Sequence, residues 1–268
     1  MKPLLLLFAL FSSILAFDAV KGEVKILTLQ KAPASLTVRF ANKTLPVLTI
    51  AGKRVILLPV GYKESAKTKK VVLKKGDKTL KTVTLHVKEG DYASERITVA
   101  AGKVHPDKKA QERISREYRE AMRIYDTVTP KLYATKPFIL PIDSPITSLF
   151  GTARIFNGAL KSYHSGTDFR ATVGTPIVVS NDGVVVLAKE RFYAGKSVVV
   201  DHGYGIYSCY YHLSRIDVKV GERVKQGEQI ALSGKTGRVS GPHLHYAFMV
   251  LGTQVNPLRF HDAFNALF

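Results

Sequence analysis

From Pro141 to Phe260 the chain is a succession of short β-branched and aromatic runs, TPIVVS, GVVVLA, KSVVVDHG, YSCYYHL, GEQIALSG and LHYAFMV, separated by glycine and polar turn signals. A helical apolar period cannot be sustained across such frequent interruptions, so this stretch is restricted to short strands and tight turns. The same pattern fills Gly22 to Val99, where SLTVRF, RVILLPVGY, KVVLKKGDKTLKTVTLHV and SERITV alternate with turns and KKGDK separates two strands as a hairpin. The expected fold class is therefore mostly β, with a β-sandwich-like N-terminal unit over residues 22–100 and a second all-β unit over 137–262. The two share no clear internal repeat.

One segment breaks the pattern. In HPDKKAQERISREYREAMRIYDTVTP, Pro106 and Asp107 are helix-start signals, Ile114, Tyr118, Met122 and Tyr125 recur at helical spacing, and Pro130 closes the run. This predicts a connector helix and linker over 105–136. The proline-rich KPFILPIDSPITSLFG that follows marks the joint between the two β units.

The N-terminus reads Met1, Lys2 and an apolar stretch from Leu4 to Leu15, with Ala16 at a plausible cleavage point. That arrangement predicts a signal peptide over 1–16 and hence an exported chain, with no membrane-spanning segment once it is cleaved. Cys209 is the one cysteine, so no disulfide within the chain is possible, and its apolar setting predicts an inert buried thiol. Lys and Arg number 40 against 21 acidic residues, a formal net charge of +19, which favours polyanionic surroundings. Nucleic acid is not the expected partner, because the chain is exported and carries no helix-turn-helix, zinc-finger or RNA-binding signature. A carboxylate-rich polymer outside the cytoplasm suits both the charge and the export signal.

The chemistry is concentrated in histidine. GPHLHYAFMV places His243 and His245 at i and i+2, so in a strand both imidazoles point to one face, roughly 6 to 7 Å apart at Cα. HSGTD places His164 four residues before Asp168 just ahead of another strand. His164, Asp168 and one member of the HxH pair make three borderline-hard donors, a set that suits zinc with a fourth position open for water and hence for catalysis. The other member and His212, in YYHL, are candidates for the acid and base that peptide hydrolysis requires. Spacing leaves open which of His243 and His245 is the ligand.

HSGTD, YYHL and SGKTGRVSGPHLHY, supported by SLFGTAR, VVVDHGYGIYSCYYHL, VKVGERVKQGEQIALSG and VNPLRF in the same order, resemble the motifs of the M23 family of zinc metallopeptidases, the LytM or lysostaphin-like cell-wall endopeptidases. The similarity covers roughly Pro137 to Phe260, and the upstream β-rich region resembles the extension of exported Gram-negative members. The resemblance implies an antiparallel β domain with an open groove and one zinc ion held by His164, Asp168 and His245. His212 and His243 would then be the catalytic histidines. It also implies peptidoglycan as substrate, with D-alanyl-meso-diaminopimelate cross-links as the expected bond, and the periplasm as location. The alternative is a non-enzymatic wall-binding regulator or activator of other wall hydrolases. Ser240 stands where relatives often carry threonine, which keeps the hydroxyl.

Four further readings complete the site. Arg154 is a candidate for meeting a substrate carboxylate, with a structural ion pair as the alternative. Tyr210, two residues before His212, is expected on the same face and within hydrogen-bonding reach of the cleft. His202, His86, His105 and His261 are read as structural or surface residues. The helix and the joint can set the N-terminal unit against the C-terminal one, so residues 22–100 are expected to cover part of the cleft until a regulator or the wall moves them, the alternative being that their lysines only dock on the wall.

Overall fold

The computed structural model describes residues 6–9, 16–30, 32–98, 106–156, 158 and 160–268. Of the expected signal segment, Leu6–Ala9 runs parallel beside Val24–Gln30, and the remainder up to residue 15 lies outside the described residues, as does His105. Among the described residues no helix is long and apolar enough to cross a membrane.

The molecule is mostly β, with two helices among the described residues. The N-terminal unit consists of two sheets. One contains Leu6–Ala9, Val24–Gln30, Lys53–Pro59 and Leu48–Ile50; the other contains Ala16–Val20, Lys78–Lys88, Thr68–Lys75, Leu36–Phe40 and Lys43–Leu45. KKGDK closes the hairpin between Thr68–Lys75 and Lys78–Lys88. Alternating residues such as Leu36, Val38 and Phe40, Val71 and Leu73, and Val83 and Leu85 are buried while Thr37, Arg39, Val72 and Thr84 between them are half-buried or exposed, the signature of one-sided burial.

The C-terminal unit is built on one large sheet whose order is Ile146–Ser148, Thr167–Arg170, His243–Val250, Ile206–Leu213, Gly195–Asp201, Gly183–Arg191 and Arg223–Val224. His243–Val250 lies in its middle and is buried along nearly its whole length, which explains why HLHYAFMV reads as a continuous apolar run after its first residues. Apolar residues of the sandwich and of this sheet merge into one buried cluster. The seam is aromatic: Tyr62 stacks on Tyr163 at 4.1 Å and packs against Tyr92 at 4.9 Å and Phe150 at 6.2 Å. The C-terminal helix Pro257–Asn265 packs against Val24–Gln30, and Gly22 accepts a backbone hydrogen bond from Asn256 at 2.7 Å.

The connector helix runs from Lys108 to Tyr125 and is capped by the Asp107 side chain, which accepts from the Ala110 amide at 2.7 Å. It ends at Tyr125, ahead of Pro130. Ala121 and Tyr125 bury themselves against Leu187, Val199, Tyr207, Cys209, Ala247 and Met249 of the large sheet. Tyr118, which shares their helical spacing in the sequence, is instead 65% exposed.

Candidate metal centre

Register assembles the centre. Thr167–Arg170 pairs antiparallel with His243–Val250 so that Asp168 lies opposite His245 and Arg170 opposite His243. His164, just ahead of that strand, swings in beside them. His164 Nε2 is 2.9 Å from Asp168 Oδ1 and 3.0 Å from His245 Nδ1, and His245 Nδ1 is 2.8 Å from Asp168 Oδ1. All three residues are buried. Ligands at about 2.0 to 2.1 Å from a tetrahedral ion stand about 3.3 Å apart, so two imidazole nitrogens and one carboxylate oxygen at these separations fit zinc after a small outward adjustment. Gly166 makes the approach possible: a Cβ there would lie 2.4 Å from the Tyr246 carbonyl oxygen and 2.7 Å from His245 Nε2.

Backbone carbonyls fix the ring orientations. A carbonyl only accepts, so His164 Nδ1–H donates to Leu149 O at 2.9 Å and leaves Nε2 as the donor atom toward an ion. In the same way His212 Nδ1–H donates to Thr236 O at 2.8 Å, and His243 Nδ1–H donates to Gly241 O at 2.9 Å. His243 Nε2 lies 3.7 Å from Asp168 Oδ1, and the His212 ring sits 4.8 Å from that of His243 and 5.8 Å from that of His245. Four imidazoles thus surround one carboxylate, with three of them anchored by their remaining nitrogen.

The electrostatics keep the donors in the states a metal requires. Burial pushes the Asp168 carboxyl up, but its side-chain contacts with His164 and His245 outweigh that and hold the group well below the usual carboxylate range. Burial lowers His245 to about 4 despite its bond to Asp168. Burial, then His243 and His245, push His212 well down, so it is neutral.

His212 has φ +64°, an uncommon backbone for a side chain with a Cβ. The cause is a bulge: Lys196 pairs with Leu213 and Val198 with Tyr210, so Tyr211 and His212 together oppose Ser197. This corrects the expectation for Tyr210. Strict alternation would put it on the face of His212, but the extra residue turns Tyr211 and His212 to the site and sends Tyr210 to the opposite side. There it is fully buried, its hydroxyl bonded to the Ser180 amide at 2.9 Å and to Ser208 Oγ at 2.9 Å. The residue beside the centre is Tyr211, whose ring stacks on His245 at 5.5 Å and 6°. The sequence shows Tyr211 only as a neighbour of His212, and nothing in it marks the bulge.

Arg154 Nη2 donates to Asp168 Oδ2 at 2.7 Å and to Ser148 Oγ at 3.1 Å, while its Nε donates to Glu95 Oε1 at 2.5 Å. It takes the structural ion pair, holding the carboxylate oxygen that does not face the histidines. Glu95 arrives from outside the C-terminal unit, on Ser94–Ile97, which leaves the sandwich to pair in parallel with Ala153–Phe156. The sandwich itself lies against the C-terminal helix and the aromatic seam, so the cleft is walled by the connector helix, and among the described residues Ser94–Ile97 is linked to it only through the Glu95–Arg154 pair. An open cavity of about 400 Å³ beside the centre is lined on one side by Ile114, Tyr118 and Met122 of that helix and on the other by Tyr211, His212 and His245. His202 and His261 are buried away from the centre, lowered by burial to about 4 and about 3, and His86 is half-buried in the N-terminal sheet.

Residues 162–257 match the model of peptidase family M23. Peptidoglycan DD-endopeptidase ShyA of Vibrio cholerae is 46% identical over 122 residues, which cover 44% of this chain and 28% of that protein. DD-carboxypeptidase/endopeptidase Mpg of Neisseria meningitidis is 40% identical over 95 residues, covering 35% and 22%. The chain therefore spans less than a third of the length of either relative. A solved structure from Pseudomonas aeruginosa assigned to peptidase M23 superposes with a TM-score of 0.73 at 27% identity and covers 95% of this chain and 97% of that one. HxxxD and HxH meet at one three-donor centre inside the matched residues, so the C-terminal unit carries a domain similar to peptidase family M23.

Proposed function

We propose that the protein is a zinc-dependent endopeptidase that hydrolyses the peptide cross-links of peptidoglycan, with the D-alanyl-meso-diaminopimelate bond as substrate and the periplasm as its place of action. The observation that carries this reading is the convergence of His164 Nε2, Asp168 Oδ1 and His245 Nδ1 within 3.0 Å, with two more imidazoles anchored beside them. His164, Asp168 and His245 would hold one zinc ion, which supplies polarisation of the scissile carbonyl and activation of water. His212, neutral and with Nε2 uncommitted to the Thr236 bond, accepts the proton of the attacking water. His243 Nε2 faces the same centre from the other side and is placed to stabilise the oxyanion and protonate the leaving amine. Arg154 holds Asp168 in orientation through the oxygen the ion would not use.

The net charge of +19 and the leader-like N-terminus support a wall-facing setting. Zinc-loaded protein is expected to release cross-linked peptides from isolated sacculi and to stop when a chelator is added. A preparation that binds no metal and leaves sacculi intact would instead return the non-enzymatic regulator.

A further inference from the structure

Outside the metal centre, one buried arginine meets no carboxylate among the described residues. Arg191 closes the strand Gly183–Arg191 and is only 9% exposed. Its Nη2 has no hydrogen-bond partner among the described residues, and its Nε makes only a long contact, 3.4 Å, to Ser197 Oγ. The guanidinium lies over the Tyr211 ring at 4.7 Å, and no carboxylate is among the groups acting on it. Arginine stays charged at every relevant pH, so burial without an anion costs stability.

The position of this group gives the deficit a purpose. Arg191 lines the same cavity of about 400 Å³ as His212 and His245. Two stacking steps separate it from the metal-ligand ring, 4.7 Å to Tyr211 and 5.5 Å from Tyr211 to His245. Arg154 and Arg238 line the cavity too, and its one lining carboxylate, Glu117, is already engaged by Arg113 Nε at 2.6 Å and the Phe192 amide at 2.8 Å. The cavity is thus a positive pocket, and the Arg191 guanidinium beside it is engaged by Tyr211 but by no carboxylate.

We propose that Arg191 is a specificity residue that receives a carboxylate carried by the substrate beside the scissile amide. The inference rests on the endopeptidase reading above. An amino acid that supplies the scissile nitrogen through its α-amine carries its carboxylate on the adjacent carbon, so binding the bond at the metal centre brings an anion into this cavity. A planar guanidinium against a carboxylate gives a charge-assisted, directional pair, and Tyr211 beneath it fixes the plane of the fork.

The test uses two soluble cross-linked peptides that differ only at that carboxylate, free in one and carboxamide in the other. Zinc-loaded wild type is expected to cleave the free acid with kcat/KM roughly ten- to a hundredfold above the amide, the range a charge-assisted hydrogen bond supports. Arg191→Gln should cleave both at the amide's rate, and Arg191→Lys should restore part of the preference. Wild type that treats the two alike overturns the proposal, and this arm needs no variant to fold. Arg191→Gln that slows both substrates equally and keeps the preference also overturns it, because the residue would then be structural. Wild type that discriminates on peptides but loses the preference only in Arg191→Gln carries the proposal. Failure of wild type on both peptides and on sacculi defeats the endopeptidase reading, and the proposal with it.

Discussion

At the residue scale, the proposed mechanism divides the centre into His164, Asp168 and His245, which would hold the ion, and His212 and His243, which would move protons, and single substitutions should test the division. His164→Ala or Asp168→Ala leaves two donors in an open site, so both metal content and activity are expected to be lost on metal analysis and peptide release. His212→Asn keeps a residue type that tolerates the left-handed backbone at φ +64° and removes the proton acceptor. It should retain about one zinc and lose roughly a hundredfold or more in kcat, the lower end of what general base catalysis contributes. If His212→Asn emptied the site while His245→Ala kept zinc, the assignment of ligand and base would be reversed. Gly166→Ala is the conformational counterpart: a methyl 2.4 Å from the Tyr246 carbonyl oxygen must displace His245 or its strand, with a cost of about 1 to 3 kcal/mol and weakened zinc binding. Unaltered zinc affinity in that variant would mean the HSGTD strand can shift without disturbing the donors.

At the element scale, the connector helix both packs and walls the cleft. Tyr125 is its principal anchor, buried against the sheet with its hydroxyl 3.0 Å from that of Tyr211 and 3.6 Å from Cys209 Sγ. Tyr125→Ala should lower stability by about 3 kcal/mol, in the range for deleting a large buried ring. It should also loosen Tyr211, so the expected companion is a fall in kcat/KM measurable on a small soluble peptide. Full activity with lowered stability would show that the wall of the cavity is passive. The bulge opposite Ser197 is the second decisive element, since it turns Tyr211 and His212 to one face and buries Tyr210 on the other. Its energetic reason is legible afterwards: Tyr210 and Tyr246 share Ser180 on the far side of the sheet, at 3.1 Å and 2.6 Å, and that buried network holds the strand in the shifted register.

At the scale of the whole molecule, one apolar core joins the sandwich to the C-terminal unit, and buried neutral histidines make its stability depend on pH. His202 and His261 are lowered by burial to about 4 and about 3, from an unfolded value near 6.5. Between those limits the unfolded chain binds more protons, so stability is fully present above about pH 6.5 and declines as pH falls toward 4, by about 1 kcal/mol per pH unit for each group. Thermal melts of metal-free protein from pH 7 to 4.5 should show this slope, and a flat profile would mean that water reaches these rings. The local patterns of the chain were enough to specify the mostly β class, the hairpin at KKGDK, the helix capped by Asp107 and the HxxxD and HxH motifs that meet at the centre, though not which histidine of HxH joins the three-donor set. Strand alternation, turn chemistry, capping and ligand spacing are all local, so their physics can be read along the sequence. Tyr211 in place of Tyr210, Arg154 turned to Asp168 and Glu95, and Arg191 left without an anion were decided by tertiary structure alone. A bulge, an ion pair between residues 59 positions apart and an unmet buried charge arise from which strands come to lie side by side, and no window along the chain contains both partners.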